Sequence, residues 1–190
     1  MLNTILGSFS SGVVAVPSSY ESIATVTVGS GGSANVEFTS ISSDYTHLQI
    51  RGIYKCTTAN DDYVLLQFNS DTGSNYSRHR LRGNGSAVAA GAQTSQTSGI
   101  GGFWHPTFPT PDTNNFGVTI VDILDYKNTN KYTTIRILTG TDNNNVYTTL
   151  GLYSSLWMNT AAVTSIKLIA ADASNFSQYT QFALYGIKGA

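Results

Sequence analysis

Three histidines, one cysteine and eleven acidic residues are the side chains through which this chain could do acid–base, nucleophilic or metal chemistry. Catalysis needs such groups to converge in a cleft where neighbours tune their pKa values, and the spacing offers no such set. His47, His79 and His105 fall in separate segments, without an HExxH or facial carboxylate pattern, and read as polar strand or loop residues. Asp122 and Asp125 bracket an apolar strand and suggest a carboxylate pair for sugar hydrolysis, but three positions apart on a strand their side chains face opposite sides. Asp61, Asp62, Asp71 and Asp142 stand in Asn/Gly-rich stretches, where Asp caps its own backbone in turns. Asp71-Thr-Gly-Ser-Asn75 lacks the alternating carboxylates and the closing Glu of a calcium loop. Neither a GxSxG elbow nor a phosphate loop is present, because Gly83-Asn-Gly85 lacks a strand-then-helix setting. Cys56 ends an apolar strand and reads as a buried thiol; alone, it excludes an intrachain disulfide and a CxxC zinc site. The expectation is a chain that is not an enzyme and holds no metal and no cofactor.

Two stretches are better suited to binding. Phe103, Trp104, His105 and Phe108, stiffened by Pro106, Pro109 and Pro111, have the rings to stack on a host-surface glycan or fill a pocket on a partner protein. The competing reading is that Trp104 and Phe108 close the end of their own fold. At the N-terminus, Leu2, Ile5, Leu6 and Phe9 recur at roughly helical spacing, followed by a Gly/Ser break and an apolar patch of Val13, Val14 and Val16 ending at Pro17. Residues 1–19 are therefore read as a partner-docking arm, ordered by its own core or by a neighbour.

The elements that must position these residues are strands. From residue 20 onward the pattern has period two, is rich in Val, Ile, Thr and Tyr, and is broken by Gly, Asn, Asp and Ser clusters. Strands are expected over 22–28, 35–40, 47–56, 63–69, 76–81, 116–125, 133–139, 147–158, 163–170 and 181–187. Leu48, Ile50 and Gly52 alternate with His47, Gln49 and Arg51, and Val64, Leu66 and Phe68 with Tyr63, Leu65 and Gln67, so one face of each packs inward. Trp157 and Met158 read as core, and Gly29-Ser-Gly-Gly-Ser33 as the turn of a hairpin joining the first two strands. Amphipathic helical patterns do not recur between strands, which disfavours a parallel sheet. Eight to ten short strands in 190 residues fit an all-β fold, an antiparallel jelly-roll-like β-sandwich over residues 20–190, with the N-terminal extended arm preceding it. A long loop is expected over 83–115, comprising a Gly/Ala/Ser/Gln tract at 83–102 and the aromatic, proline-rich stretch after it.

Composition narrows the partners. Only 11% of residues are charged and the net charge is −1, against roughly 25% charged in an average soluble domain. Ten basic residues against eleven acidic ones do not support a strong counterion-release grip on a phosphate backbone, so no nucleic-acid partner is expected. No run approaches the roughly 20 apolar residues of a membrane span, and the first basic residue is Arg51, so neither membrane insertion nor a secretory leader is expected. The sequons at Asn75, Asn84 and Asn175 are read as chance products of an Asn/Ser-rich chain. A surface with so little electrostatic repulsion suits a molecule living inside an assembly.

Several stretches together resemble a group of small structural virion proteins of tailed bacteriophages, particularly phages of aquatic bacteria. They are Tyr20-Glu-Ser-Ile-Ala-Thr-Val, His47-Leu-Gln-Ile-Arg-Gly, Phe68-Asn-Ser-Asp-Thr-Gly-Ser-Asn-Tyr, Ile123-Leu-Asp-Tyr-Lys-Asn-Thr-Asn-Lys-Tyr, Leu156-Trp-Met-Asn-Thr-Ala-Ala-Val-Thr-Ser-Ile and Phe182-Ala-Leu-Tyr-Gly-Ile-Lys-Gly. None is a catalytic motif. The resemblance implies an architectural role in the virion, assembled in the bacterial cytoplasm. One form is a capsid decoration or cement protein, a homotrimer gripping the major capsid protein by its arm and loops. The alternative is a tail or fibre appendage, docked on tail components, that binds a host surface glycan.

Overall fold

The computed structural model describes residues 18–57, 62–105, 114–142 and 149–189, with backbone alone for 62 and 102–105. The expected arm residues Leu2, Ile5, Leu6, Phe9, Val13, Val14 and Val16 lie outside the described residues, as does Phe108. Alternating side chains build two antiparallel sheets with no helix among the described residues, consistent with a β-sandwich. The larger sheet has the order β1 (Tyr20–Thr27), β12 (Gln181–Ile187), β3 (His47–Tyr54), β8 (Gly117–Leu124), β9 (Thr133–Thr141), β10 (Thr149–Trp157), β5 (Tyr76–Gly83), β6 (Val88–Gln96). The smaller has β2 (Asn35–Phe38), β11 (Ile166–Ala170), β4 (Asp62–Phe68), β7 (Ile100–His105). Pairing is nested: β1 meets β12, β2 meets β11, β3 meets β8 and β4 meets β7, so early strands find late ones. Two local hairpins, β5–β6 and β9–β10, extend the larger sheet beyond β8.

Period two decides what the core contains. Leu48, Ile50 and Tyr54 of β3 and Val64, Leu66 and Phe68 of β4 are fully buried, as the alternation requires. Phe182 of β12 stacks on Tyr54 with centroids 5.8 Å apart and meets Phe176 edge-on at 5.3 Å. Gly52 makes room for that ring: a Cβ there would lie 2.5 Å from Phe182 carbons. The Tyr54 hydroxyl shares a 3.0 Å hydrogen bond with Thr139 Oγ1, and burial pushes the phenol far above its ordinary pKa. Cys56 is buried too. Trp157 is fully buried, while Met158 is only partly so.

Four expectations need correction. The loop expected over 83–115 contains two strands: β6 pairs with β5, and β7 pairs with β4. Small, unbranched Ala, Gly and Ser residues carry no β signal, yet backbone hydrogen bonding to an existing neighbour is enough to make a strand of them. The hairpin expected at Gly29–Ser33 is a corner between sheets, since β1 pairs with β12 and β2 with β11. The strand count rises to twelve among the described residues. Asp62 opens β4, with no turn there.

Asp71 does more than shape its turn. Its carboxylate accepts the Gly73 N–H at 2.8 Å, the Asn75 side-chain amide at 2.9 Å and the buried Trp157 indole N–H at 2.8 Å. Partial burial pushes the carboxyl up, but the hydrogen bonds from Asn75, Trp157 and Gly73 outweigh it and hold it below the usual carboxylate range. A depressed carboxyl stabilises the fold fully above the unfolded value of ~3.9 and ceases to do so as pH falls through the folded value. Asp71→Ala is therefore expected to lose about 2 kcal/mol in urea unfolding at pH 7, with the gap to the wild type narrowing below about pH 4. A gap independent of pH would show that the charge is not what Trp157 needs.

Candidate functional site

On a two-layer fold each sheet has one face to bury and one to leave wet, and the outer face of the larger sheet breaks that pattern. Ile120, Leu138, Leu152 and Leu81 are opposed in register across β8, β9, β10 and β5 and are 38%, 47%, 48% and 51% exposed. The adjacent row runs through Ile53, Val118, Leu150 and Val88, with Gly140 and Gly83 between them, and is more exposed still. These rows form one contiguous aliphatic surface, and large exposed apolar patches mark association sites on soluble proteins. Most of it lies on the strands that extend the sheet beyond β3.

A hollow of about 450 Å³ indents this face. Ser154 sits between Arg136 and His79 in register, and the small serine leaves a depression walled by Leu81, Leu124 and Leu152. The hollow is open to solvent and chiefly apolar, with the Arg136 and His79 side chains at its margin, so it suits an aliphatic or aromatic side chain.

A polar ladder borders the patch, running from β1 and β12 through β3 and β8 to Arg136 on β9. Arg51 lies 5.5 Å from the Tyr20 ring centre and 5.8 Å from that of Tyr185, and the two rings stack at 4.9 Å. Tyr20 Oη and Arg51 Nε both donate to Gln49 Oε1, Gln49 Nε2 donates to Asp122 at 2.8 Å, and Arg136 closes the ladder on Asp122 at 2.9 Å. Burial is the main cause raising the Tyr20 phenol. The inner face of the overhanging β5 is different: Arg78 is buried and donates to the Gly101 carbonyl and to Gln93 Oε1. Burial, then the neighbouring Arg80 charge, lowers the pKa of its guanidinium.

The chemistry-bearing residues are dispersed. His47 Nδ1 accepts the Asp125 N–H at 2.9 Å, and Lys131 holds the Asp125 carboxylate, whose pKa is depressed chiefly by that hydrogen bond. Asp122 faces outward on the ladder, and Asp125 begins the turn after β8 with φ 50°. Among the described residues, no three His, Cys, Asp or Glu side chains come together as a metal would require. Phe103, Trp104 and His105 lie on β7, an edge strand, opposite Val64, Tyr63 and Asp62 in register. The sequence reading missed the outer face. Its signal was there in β8, where Val-Thr-Ile-Val-Asp-Ile-Leu is apolar in both phases of the alternation.

Compared with models of protein families, with curated proteins and with solved structures, the chain matches none of them.

The combined substitutions Leu138→Lys and Leu152→Lys touch only the outer face and are expected to leave unfolding within about 0.5 kcal/mol of wild type. Gly52→Ala, which drives a methyl into Phe182, is expected to cost about 1–3 kcal/mol. Urea titrations of both variants check the contrast; a large loss in the double lysine variant would mean that the face supports the fold itself.

Proposed function

We propose that this chain is a non-enzymatic structural subunit of a tailed-phage virion, a capsid decoration or cement protein that docks through apolar surface. The exposed aliphatic face of β8, β9, β10 and β5 carries the proposal. A free soluble monomer gains nothing from keeping such a face wet, whereas a subunit covered in its assembly gains the burial, about 25 cal/mol per Å². The virion setting rests on the resemblance of the six sequence stretches, and the nearly uncharged composition agrees with it.

The strand order supports reading the sandwich as a jelly roll. Four strands in the order β1-β12-β3-β8 against four in the order β2-β11-β4-β7 give its nested connectivity. On this reading hairpins β5–β6 and β9–β10 are additions to one sheet, and the apolar face is largely built on them. Residues 1–19 are the arm of this subunit, and a trimer about a symmetry axis is the arrangement in which a small subunit bridges shell proteins.

Particles grown without this protein and then supplied with purified chain test the reading. Wild-type protein is expected to bind in high copy number, while the Leu138→Lys, Leu152→Lys variant loses at least about tenfold in affinity, or ~1.4 kcal/mol. A chain lacking residues 1–19 is expected to remain folded and fail to load. Full occupancy by both variants would overturn the proposal, and a handful of copies per particle would move the site of action from shell to tail.

A further inference from the structure

β6 ends the larger sheet on an unblunted edge, and we propose that it pairs antiparallel with β6 of a second copy about a two-fold axis beside Ala90, joining the two larger sheets into one. This goes beyond the shell reading and does not depend on it. A two-fold contact at this edge leaves the trimer axis proposed above free, since it joins copies of neighbouring trimers.

Each of the other sheet edges is protected. β1 is bulged between Ser22 and Ala24 and carries Glu21, β2 is four residues long, and β7 falls out of step with β4 at Val64 and Leu65. Among the described residues β6 pairs with β5 alone, and none of its nine residues is buried. Which of its backbone groups face outward follows from the turn that opens the hairpin. Asn84 N–H donates to the Ala87 carbonyl, so these two residues form a hydrogen-bonded pair. Alternation then turns the N–H and C=O of Ala89, Gly91 and Gln93 towards β5, and those of Val88, Ala90 and Ala92 towards the free edge. The regular stretch is bounded on both sides, by Gly85 at φ 85° in the turn before it and by Ser95 at φ 51° in the bulge after it.

An axis at Ala90 uses all three outward positions at once. Val88 meets Ala92 of the second copy, Ala90 meets its own equivalent, and three such pairs exchange about six hydrogen bonds. A slip of register leaves one of these pairs unmet. The side chains brought together are Val, Ala and Gly, so the contact buries no charge. Arg78, Arg80 and Arg82 on β5 stand three strand steps from their equivalents, about 14 Å between backbones, beyond the screening length of ~8 Å. Choosing a foreign strand takes pockets for its alternate side chains, and an edge of alanine and glycine has none to offer. A two-fold fixes the register by itself and closes the contact at two copies. Leu81 and Ala90 are opposed, so the outer row of Ile120, Leu138, Leu152 and Leu81 runs on through Ala90 into the same row of the second copy. One aliphatic floor then spans the pair.

Disulfide trapping in the full-length chain tests the pairing. The Cα atoms of Ala90→Cys and its equivalent would lie about 5.5 Å apart, within disulfide reach, whereas Val88→Cys would stand four residues out of register with its own equivalent, more than about 13 Å away. On mild oxidation, with the parent chain and its buried Cys56 as the blank, Ala90→Cys is expected to give at least about tenfold more covalent dimer than Val88→Cys. Mixing Val88→Cys chains with Ala92→Cys chains is expected to restore the dimer. Ala90→Pro removes an N–H that points away from β5, so it is expected to keep the wild-type urea midpoint while the two-copy step disappears from sedimentation; Ala92→Lys is expected to do the same. An Ala90→Cys chain that stays unlinked, or a Val88→Cys chain that links as readily, would overturn the pairing, as would unchanged self-association of both edge variants. Such a failure leaves the shell reading to its own particle-loading assay, and full occupancy there by the Leu138→Lys, Leu152→Lys variant sinks that reading whatever the disulfide gives.

Discussion

The last strand holds the molecule shut. β12 enters between β1 and β3, so neither the N-terminal edge nor the centre of the larger sheet is complete until the chain's end arrives. Thr27 and Gln181, 154 positions apart, bond side chain to side chain on one flank of this strand, and Phe182 lies against Gly52 and Tyr54 on the other. Nested pairing of this kind closes long loops before contacts repay their entropy, which makes for slow folding. In return, every central strand is fixed in register from two sides, and the outer face becomes a rigid platform.

How much of this was legible follows from what kind of information a strand carries. Alternation is local, so Leu48, Ile50, Val64, Leu66 and Phe68 declared their burial in the sequence, and they are all buried. Pairing is not local: Gly29–Ser33 has the chemistry of a chain reversal, but nothing in it tells whether the next strand stays beside β1 or crosses to β2's place in the other sheet. The β6 stretch Val-Ala-Ala-Gly-Ala-Gln-Thr-Ser-Gln illustrates the opposite limit. Its residues have little preference for a pleated surface, and the strand exists because β5 offers a hydrogen-bonding edge. Asn84 did signal the turn before it, accepting the Ala87 N–H with its side chain beside Gly85 at φ 85°.

The candidate site was half legible for the same reason. A strand that is apolar in both phases announces that both faces want cover, and β8 is such a strand. Which neighbours share the exposed phase depends on the register of β9, β10 and β5, which only the fold supplies. The arm and the aromatic residues had drawn attention by composition alone. Neither is joined to the other by the described structure: residues 1–17 lie outside it, and Phe103 to His105 sit on β7 in the smaller sheet.

Sheet edges sharpen the case for a covered state. Natural edge strands are usually blunted by lysine, proline or a short run. β6 has nine residues, no charge and no proline, and it closes one side of the larger sheet. An uncovered combination of apolar face and bare edge invites random association unless an occupant of defined shape covers it. Charge cannot supply that definition on a surface whose ionic groups are gathered into the Gln49–Asp122–Arg136 ladder. Shape can: the gap over Ser154 lies beside the aliphatic row, between Arg136 and His79 in register, and an indentation next to a flat row favours one register for a projecting side chain. Arg136 lines that gap and is held by Asp122, so whatever seats there must leave this ion pair its water, because stripping it would cost more than the pair gains back.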